Sequence, residues 1–142
     1  QDNANMKVSW EDFNKRKKED TIEHIYPQSP NDIYWKNRFG HLKPSEKRKN
    51  MDSLGNLLLL IRSKNSKLQN YDFDKKKCLL NKDGKETAFY NGSYSEIEVS
   101  KHKEWTPDEI KKRGLLMLQF MEERWKFSFD NWNISKEDIL FP

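Results

Sequence analysis

Glu23-His24-Ile25-Tyr26-Pro27-Gln28 closes a β-prone run that begins at Thr21, and Pro27, which cannot continue a ladder, ends it. The next decisive stretch is Leu54-Gly55-Asn56-Leu57, which leads into Leu57-Leu58-Leu59-Leu60-Ile61, the most apolar run in the chain. Five consecutive apolar residues between Gly55-Asn56 and Arg62-Ser63 suit a short buried strand. Ser63 then reads as the N-cap of a helix carrying Asn65, Ser66, Lys67 and Leu68. The order is strand, long loop, strand, helix.

Outward from this centre the chain reads as helical. Ser9 with Asp12 opens a charged helix to about Glu19. Residues 28–44 form a polar loop with aromatic insertions (Tyr34, Trp35, Phe39) and room for one short helix. Pro44-Ser45-Glu46 opens a charged helix ending near Gly55, residues 72–80 form another around Lys75, Lys76 and Lys77, and Asn81-Lys82-Asp83-Gly84 is a turn. Residues 93–102 read as a short helix. The strongest helix signal is at Thr106: an N-cap, Pro107 at the first helical position and Glu109 completing a capping box. That helix should run to about Phe127, with Ile110, Met117, Met121 and Trp125 on one face and Leu118 beside them. Gly114 in its middle weakens it by about 1 kcal/mol relative to Ala unless something packs closely there.

Composition bounds the classes open to the chain. It has 142 residues, the size of a single domain, with 35% charged residues against 34% hydrophobic, and a net charge of only +4. Five Trp, five Tyr and eight Phe supply core material that the aliphatic residues do not. The pI near 9.0 mildly favours an acidic partner such as nucleic acid. One cysteine, Cys78, allows neither an internal disulfide nor a cysteine-based zinc site, so we expect no structural zinc and a reducing, cytoplasmic home. There is no apolar run of membrane-spanning length and no signal-peptide pattern, and the start at Gln1 reads as a piece cut from a longer protein.

Hydrolysis of a phosphodiester needs a base that works near neutral pH, for which histidine is suited. It also needs positive charge near the phosphate and the leaving oxygen. Magnesium supplies this with a few protein oxygen ligands. Glu23, His24 and Asn65 contain these parts. Taken singly each has a plainer reading. A Glu-His pair is common on surfaces, Gly55-Asn56 is a turn, and Asn65 is a capping or solvated amide. Neighbouring residues on a regular strand also face opposite sides, so Glu23 and His24 share a site only if the chain bends there. His41 and His102 read as solvated, and Lys15-Arg16-Lys17-Lys18, followed by Glu19 and Asp20, as a solvated helix face.

In order and together, Glu23-His24-Ile25 with Pro27, Gly55-Asn56-Leu57 and Asn65 resemble the three blocks of HNH (ββα-metal) endonucleases; Asn56 and Asn65 are nine apart, a spacing common in that family. The longer pattern, with Asn65-Ser66-Lys67-Leu68, Asn70, Phe73-Asp74-Lys75-Lys76-Lys77, Trp105, Ile110, Arg113 and Trp125, is similar to the C-terminal nuclease domain of the GmrSD modification-dependent restriction enzymes. The resemblance spans roughly residues 21–125.

It implies an α+β fold: a ββα-metal finger, a short hairpin plus helix, set in a mostly helical domain. The finger would occupy about residues 20–70 and the helical C-terminal part about 72–128 of a single domain. His24 would be the general base. Glu23 and Asn65 would bind magnesium, with manganese as an alternative. Asn56 would hold the loop and orient His24. Lys67, Lys75 and Lys76 would contact phosphates. The implied partner is DNA, in restriction of phage or modified DNA, with a nucleotide-using sensor domain lying N-terminal to this chain. Two rivals stand beside this: a nucleic-acid-binding module of the same fold without activity, and a helical interaction domain in which the His-Asn pattern is accidental.

Overall fold

The structure, a computed structural model, describes residues 20–80, 84 and 88–142. The helix expected at residues 9–19 lies outside the described residues, as does the turn at 81–84 apart from Gly84.

Two strands, β1 (Asp20–His24) and β2 (Leu57–Ile61), pair antiparallel in a two-stranded sheet, with Glu23 opposite Leu58 and His24 opposite Leu57. The long connection between them holds two helices, α1 (Ile33–Phe39) and α2 (Pro44–Asp52), and a single 3-10 turn at Leu54–Asn56. Helix α3 (Arg62–Leu68) follows β2 without a loop. This is the expected hairpin-plus-helix finger, and the fold is α+β. The remaining helices among the described residues are α4 (Phe73–Lys77), α5 (Tyr94–Ser100), α6 (Pro107–Trp125) and α7 (Lys136–Leu140).

Three local expectations change. Strand β2 is half-buried: Leu58 and Leu60 face the core, while Leu59 and Ile61 are exposed. A two-stranded ribbon covered on one side leaves its other side open, so an unbroken apolar run did not mean burial on both faces. Helix α3 starts at Arg62, so Ser63 lies inside it rather than capping it. On α6, capped by Thr106 and Glu109 as expected, the buried stripe is Ile110, Gly114 and Leu118; Trp125 is exposed.

That stripe explains Gly114 and Gly55 together. A Cβ on Gly55 would lie 1.9 Å from the Ile110 carbonyl oxygen, and one on Gly114 would lie 2.7 Å from Leu140. The two glycines let α6 press backbone to backbone against the turn before β2, with α7 closing the other side. Close packing offsets the helix cost of Gly114. The main core gathers Tyr26, Trp35, Phe39, Phe73 and Trp105 with aliphatics from the hairpin. Tyr26 stacks on Phe39 at 3.8 Å between ring centroids, so α1 holds the segment just after β1.

Candidate active site

The strand ends at His24, and the residues that follow it are clamped by Asn56. The Asn56 side chain is fully buried. Its Oδ1 accepts from Tyr26 N–H at 2.7 Å and from Trp105 Nε1 at 3.1 Å; its Nδ2 donates to the carbonyls of Tyr26 and Met51, each at 2.9 Å. Its own carbonyl accepts from Ile25 N–H at 3.0 Å. Every hydrogen-bonding site of the amide is used, as a buried polar group requires. Arg113 on α6 donates to the carbonyls on either side, Gly55 at 2.7 Å and Leu57 at 2.9 Å. Asn56 thus acts on the chain at Tyr26, two residues from His24, and Arg113 holds Asn56 in place.

His24 is half-buried, with its Nε2 at 3.9 Å from Asp52 Oδ1 at the end of α2. Burial lowers the imidazole below its ordinary value, Asp52 pulls it back up, and Lys76 pushes it further down. A histidine so placed is neutral near pH 7 and able to take a proton. Asp52 also lines a cleft of about 550 Å³ with Pro44, Arg48, Lys49, Leu140 and Pro142; His24 itself does not line it.

Glu23 faces the other way. It is buried, and its Oε1 accepts a hydrogen bond from the Lys76 ammonium in a buried ion pair. Lys76 also donates to the main-chain carbonyls of His24 at 3.0 Å and Ile25 at 3.1 Å. Burial raises Glu23 and lowers Lys76, each toward its neutral form, while the charge of each partner opposes that. Asn65 lies against the edge of β1, its Nδ2 donating to Thr21 Oγ1 at 2.8 Å and to the Ile22 carbonyl at 3.2 Å.

These positions bear on two expectations. Lys76 offers nothing to a phosphate, because its ammonium is buried and its three hydrogens are engaged. Glu23 is not a free carboxylate but is paired with Lys76. The oxygen types of Glu23 and Asn65 suit magnesium, but the Glu23 carboxylate already faces the Lys76 ammonium, while Asn65 spends its nitrogen and not its oxygen on β1. Among the described residues no group of three or more His, Cys, Asp or Glu is placed to hold a metal ion. Of the other lysines, Lys67 is exposed, and Lys75 is exposed but paired with Asp72 at 2.9 Å.

Sequence reading missed Asp52, Lys76 as an inward group, and Arg113 as a clamp. Lys76 had a signal: it lies three residues after Phe73 and so on the same helix face. Asp52 had none, being one charge in a charged helix.

The hairpin, the helix after it and a histidine at the strand end define the ββα-finger class. The chain belongs to the family described as GmrSD restriction endonucleases, C-terminal domain, which matches residues 2–120. The family carries a nuclease role in restriction. No curated protein and no solved structure matches the chain. Among the described residues, no helix is long and apolar enough to cross a membrane.

Proposed function

We propose that this chain cleaves phosphodiester bonds of DNA, with His24 as general base. The observation that carries the reading is the placement of His24: an accessible, neutral imidazole at the end of a strand whose next residues are clamped by Asn56. In the proposed step His24 takes a proton from water, the water oxygen bonds to phosphorus, and the bond from phosphorus to the 3′ oxygen breaks. The products are a 5′-phosphate and a 3′-hydroxyl, the leaving oxygen taking its proton from solvent. Asp52 favours the imidazolium that forms, since its charge lies on the same side.

The leaving oxygen needs positive charge, so dependence on magnesium, or manganese in its place, belongs to the proposal on chemical grounds. Glu23 enters a cation's ligand set only by giving up Lys76. Asn65 donates its amide nitrogen to β1 and keeps its oxygen to offer a cation. Lys67 and Lys75 are the exposed lysines proposed to meet phosphates, a contact that positions the duplex without reading its sequence. Phage or modified DNA as substrate, a sensor domain preceding this chain, and a cytoplasmic location complete the reading.

The rival, a binding module without activity, is favoured by one observation: the carboxylate expected to bind metal is paired with Lys76. The test is cleavage of supercoiled plasmid in magnesium or manganese by the parent chain and by His24→Ala, with chelator controls. Nicks or linear product from the parent alone support the nuclease. DNA binding with no cleavage in either cation supports the module.

A further inference from the structure

Lys76 meets three oxygens of three successive residues: a carboxylate oxygen of Glu23 and the main-chain carbonyls of His24 and Ile25. Three converging oxygens around one positive centre are the chemistry of a cation site, and here an ammonium fills it. Both partners are buried, Glu23 at 4% exposure and Lys76 at 0%. A dication beside Glu23 would have to displace the ammonium or share a buried site with it. Displacement would leave a buried lysine with no carboxylate partner, and sharing would set like charges together out of water.

The lysine is also held from behind. Asp72 caps α4, its carboxylate accepting from Lys75 N–H at 2.9 Å. Phe73, one face-mate of Lys76, lies 5.4 Å from Trp105 between ring centroids, and Trp105 is the residue that donates to Asn56 Oδ1. One aromatic support therefore backs both clamps on the end of β1, the amide at Tyr26 and the ammonium at His24 and Ile25.

We propose that Lys76 is the permanent internal counter-cation of Glu23 and a positioning residue for His24. Glu23 then serves the site by holding the strand end, and it is not a metal ligand. The positioning role rests on the nuclease reading of His24; the pairing itself rests on geometry alone.

Two measurements judge the pairing without any cleavage. In the nitrogen-15-labelled chain, the ammonium of Lys76 should give a resonance protected from water exchange, absent in Lys76→Met and unmoved when magnesium is added to millimolar levels. Manganese affinity, read by paramagnetic resonance, should change by less than ~2-fold in Glu23→Gln, since a lost ligand would weaken it far more. Loss of the lysine signal on adding magnesium, or manganese affinity reduced ~10-fold or more by Glu23→Gln, overturns the proposal and returns Glu23 to the metal.

Plasmid cleavage judges the positioning. Lys76→Met should lower kcat about 10-fold with KM unchanged, and adding Glu23→Gln should recover most of the loss, because the pair is then removed together. No recovery in a double variant that melts like the parent overturns the positioning role. Should the single variant not fold, the double variant and the labelled parent still decide. Absence of cleavage by the parent chain overturns the nuclease reading, while the resonance and manganese measurements still decide the pairing.

Discussion

The two sides of β1 at its final two residues differ in almost every physical respect. Glu23 points into the core, where its charge is matched by a lysine whose hydrogens are all engaged. His24 is half-buried, beside the exposed carboxylate of Asp52. One side is closed and saturated; the other is partly desolvated and unsaturated. A group that must take and release a proton needs the second environment, and a group that must hold a backbone in place needs the first. The comparison teaches that chemistry and support can be adjacent in sequence and still be assigned to opposite faces by strand alternation.

The largest expected effect is on the closed side. Asn56→Ala removes a buried amide that makes four side-chain hydrogen bonds. It should cost about 3 kcal/mol of stability, since buried backbone partners are left unsatisfied. Chemical denaturation measures it, and a loss under ~0.5 kcal/mol, the size of an ordinary surface change, would show that the clamp carries no weight.

On the open side the cost should fall on rate. His24→Ala should lower plasmid cleavage by at least ~100-fold, the low end for a general base. Its thermal melt should stay near that of the parent. Equal cleavage at equal melting would remove His24 from the mechanism.

Asp52→Asn should act more gently, and with a sign. Burial lowers His24, and Asp52 pulls it upward. Cleavage requires the neutral imidazole, so it falls as pH drops through the lowered value. Without Asp52 that value drops further, and the acid limb of the rate profile should move to lower pH. A limb that moves to higher pH, or does not move, separates Asp52 from His24.

The smallest effect belongs to the exposed lysines. Lys67→Ala with Lys75→Ala should leave stability within about 0.5 kcal/mol. DNA binding should weaken for every sequence tested, and the slope of affinity against salt should become shallower by ~2, as two phosphate contacts are lost. An unchanged slope would mean that both side chains are merely solvated.

Much of this molecule was open to reading from its residues. The strand at Leu57–Ile61 and the capped start of α6 carried local signals strong enough to survive folding: a bounded apolar run, and a Thr-Pro-x-Glu cap whose hydrogen bonds close within one turn. Gly55-Asn56 by itself was legible only as a turn, and the loop-holding role of Asn56 was legible only through the family resemblance. The sites that escaped reading depend on partners far along the chain. Lys76 meets Glu23 across 53 residues, and Arg113 meets Gly55 across 58. A lysine's charge says only that it must be solvated or paired, and Lys75, its neighbour, pairs with Asp72 at the exposed surface instead.

The sequence alone determined the order of elements, the identity of the histidine at the strand end and the family to which the pattern belongs. These rest on local spacing, on turn chemistry and on residue types that few other roles require. Tertiary structure alone decided which charges became internal. Burial of a charge depends on whether an opposite charge and enough hydrogen-bond partners arrive at the same point, and that convergence is created by packing. So α4 carries Lys76 inward to meet Glu23, α2 brings Asp52 beside His24, and α6 sets Arg113 against the carbonyls around Asn56.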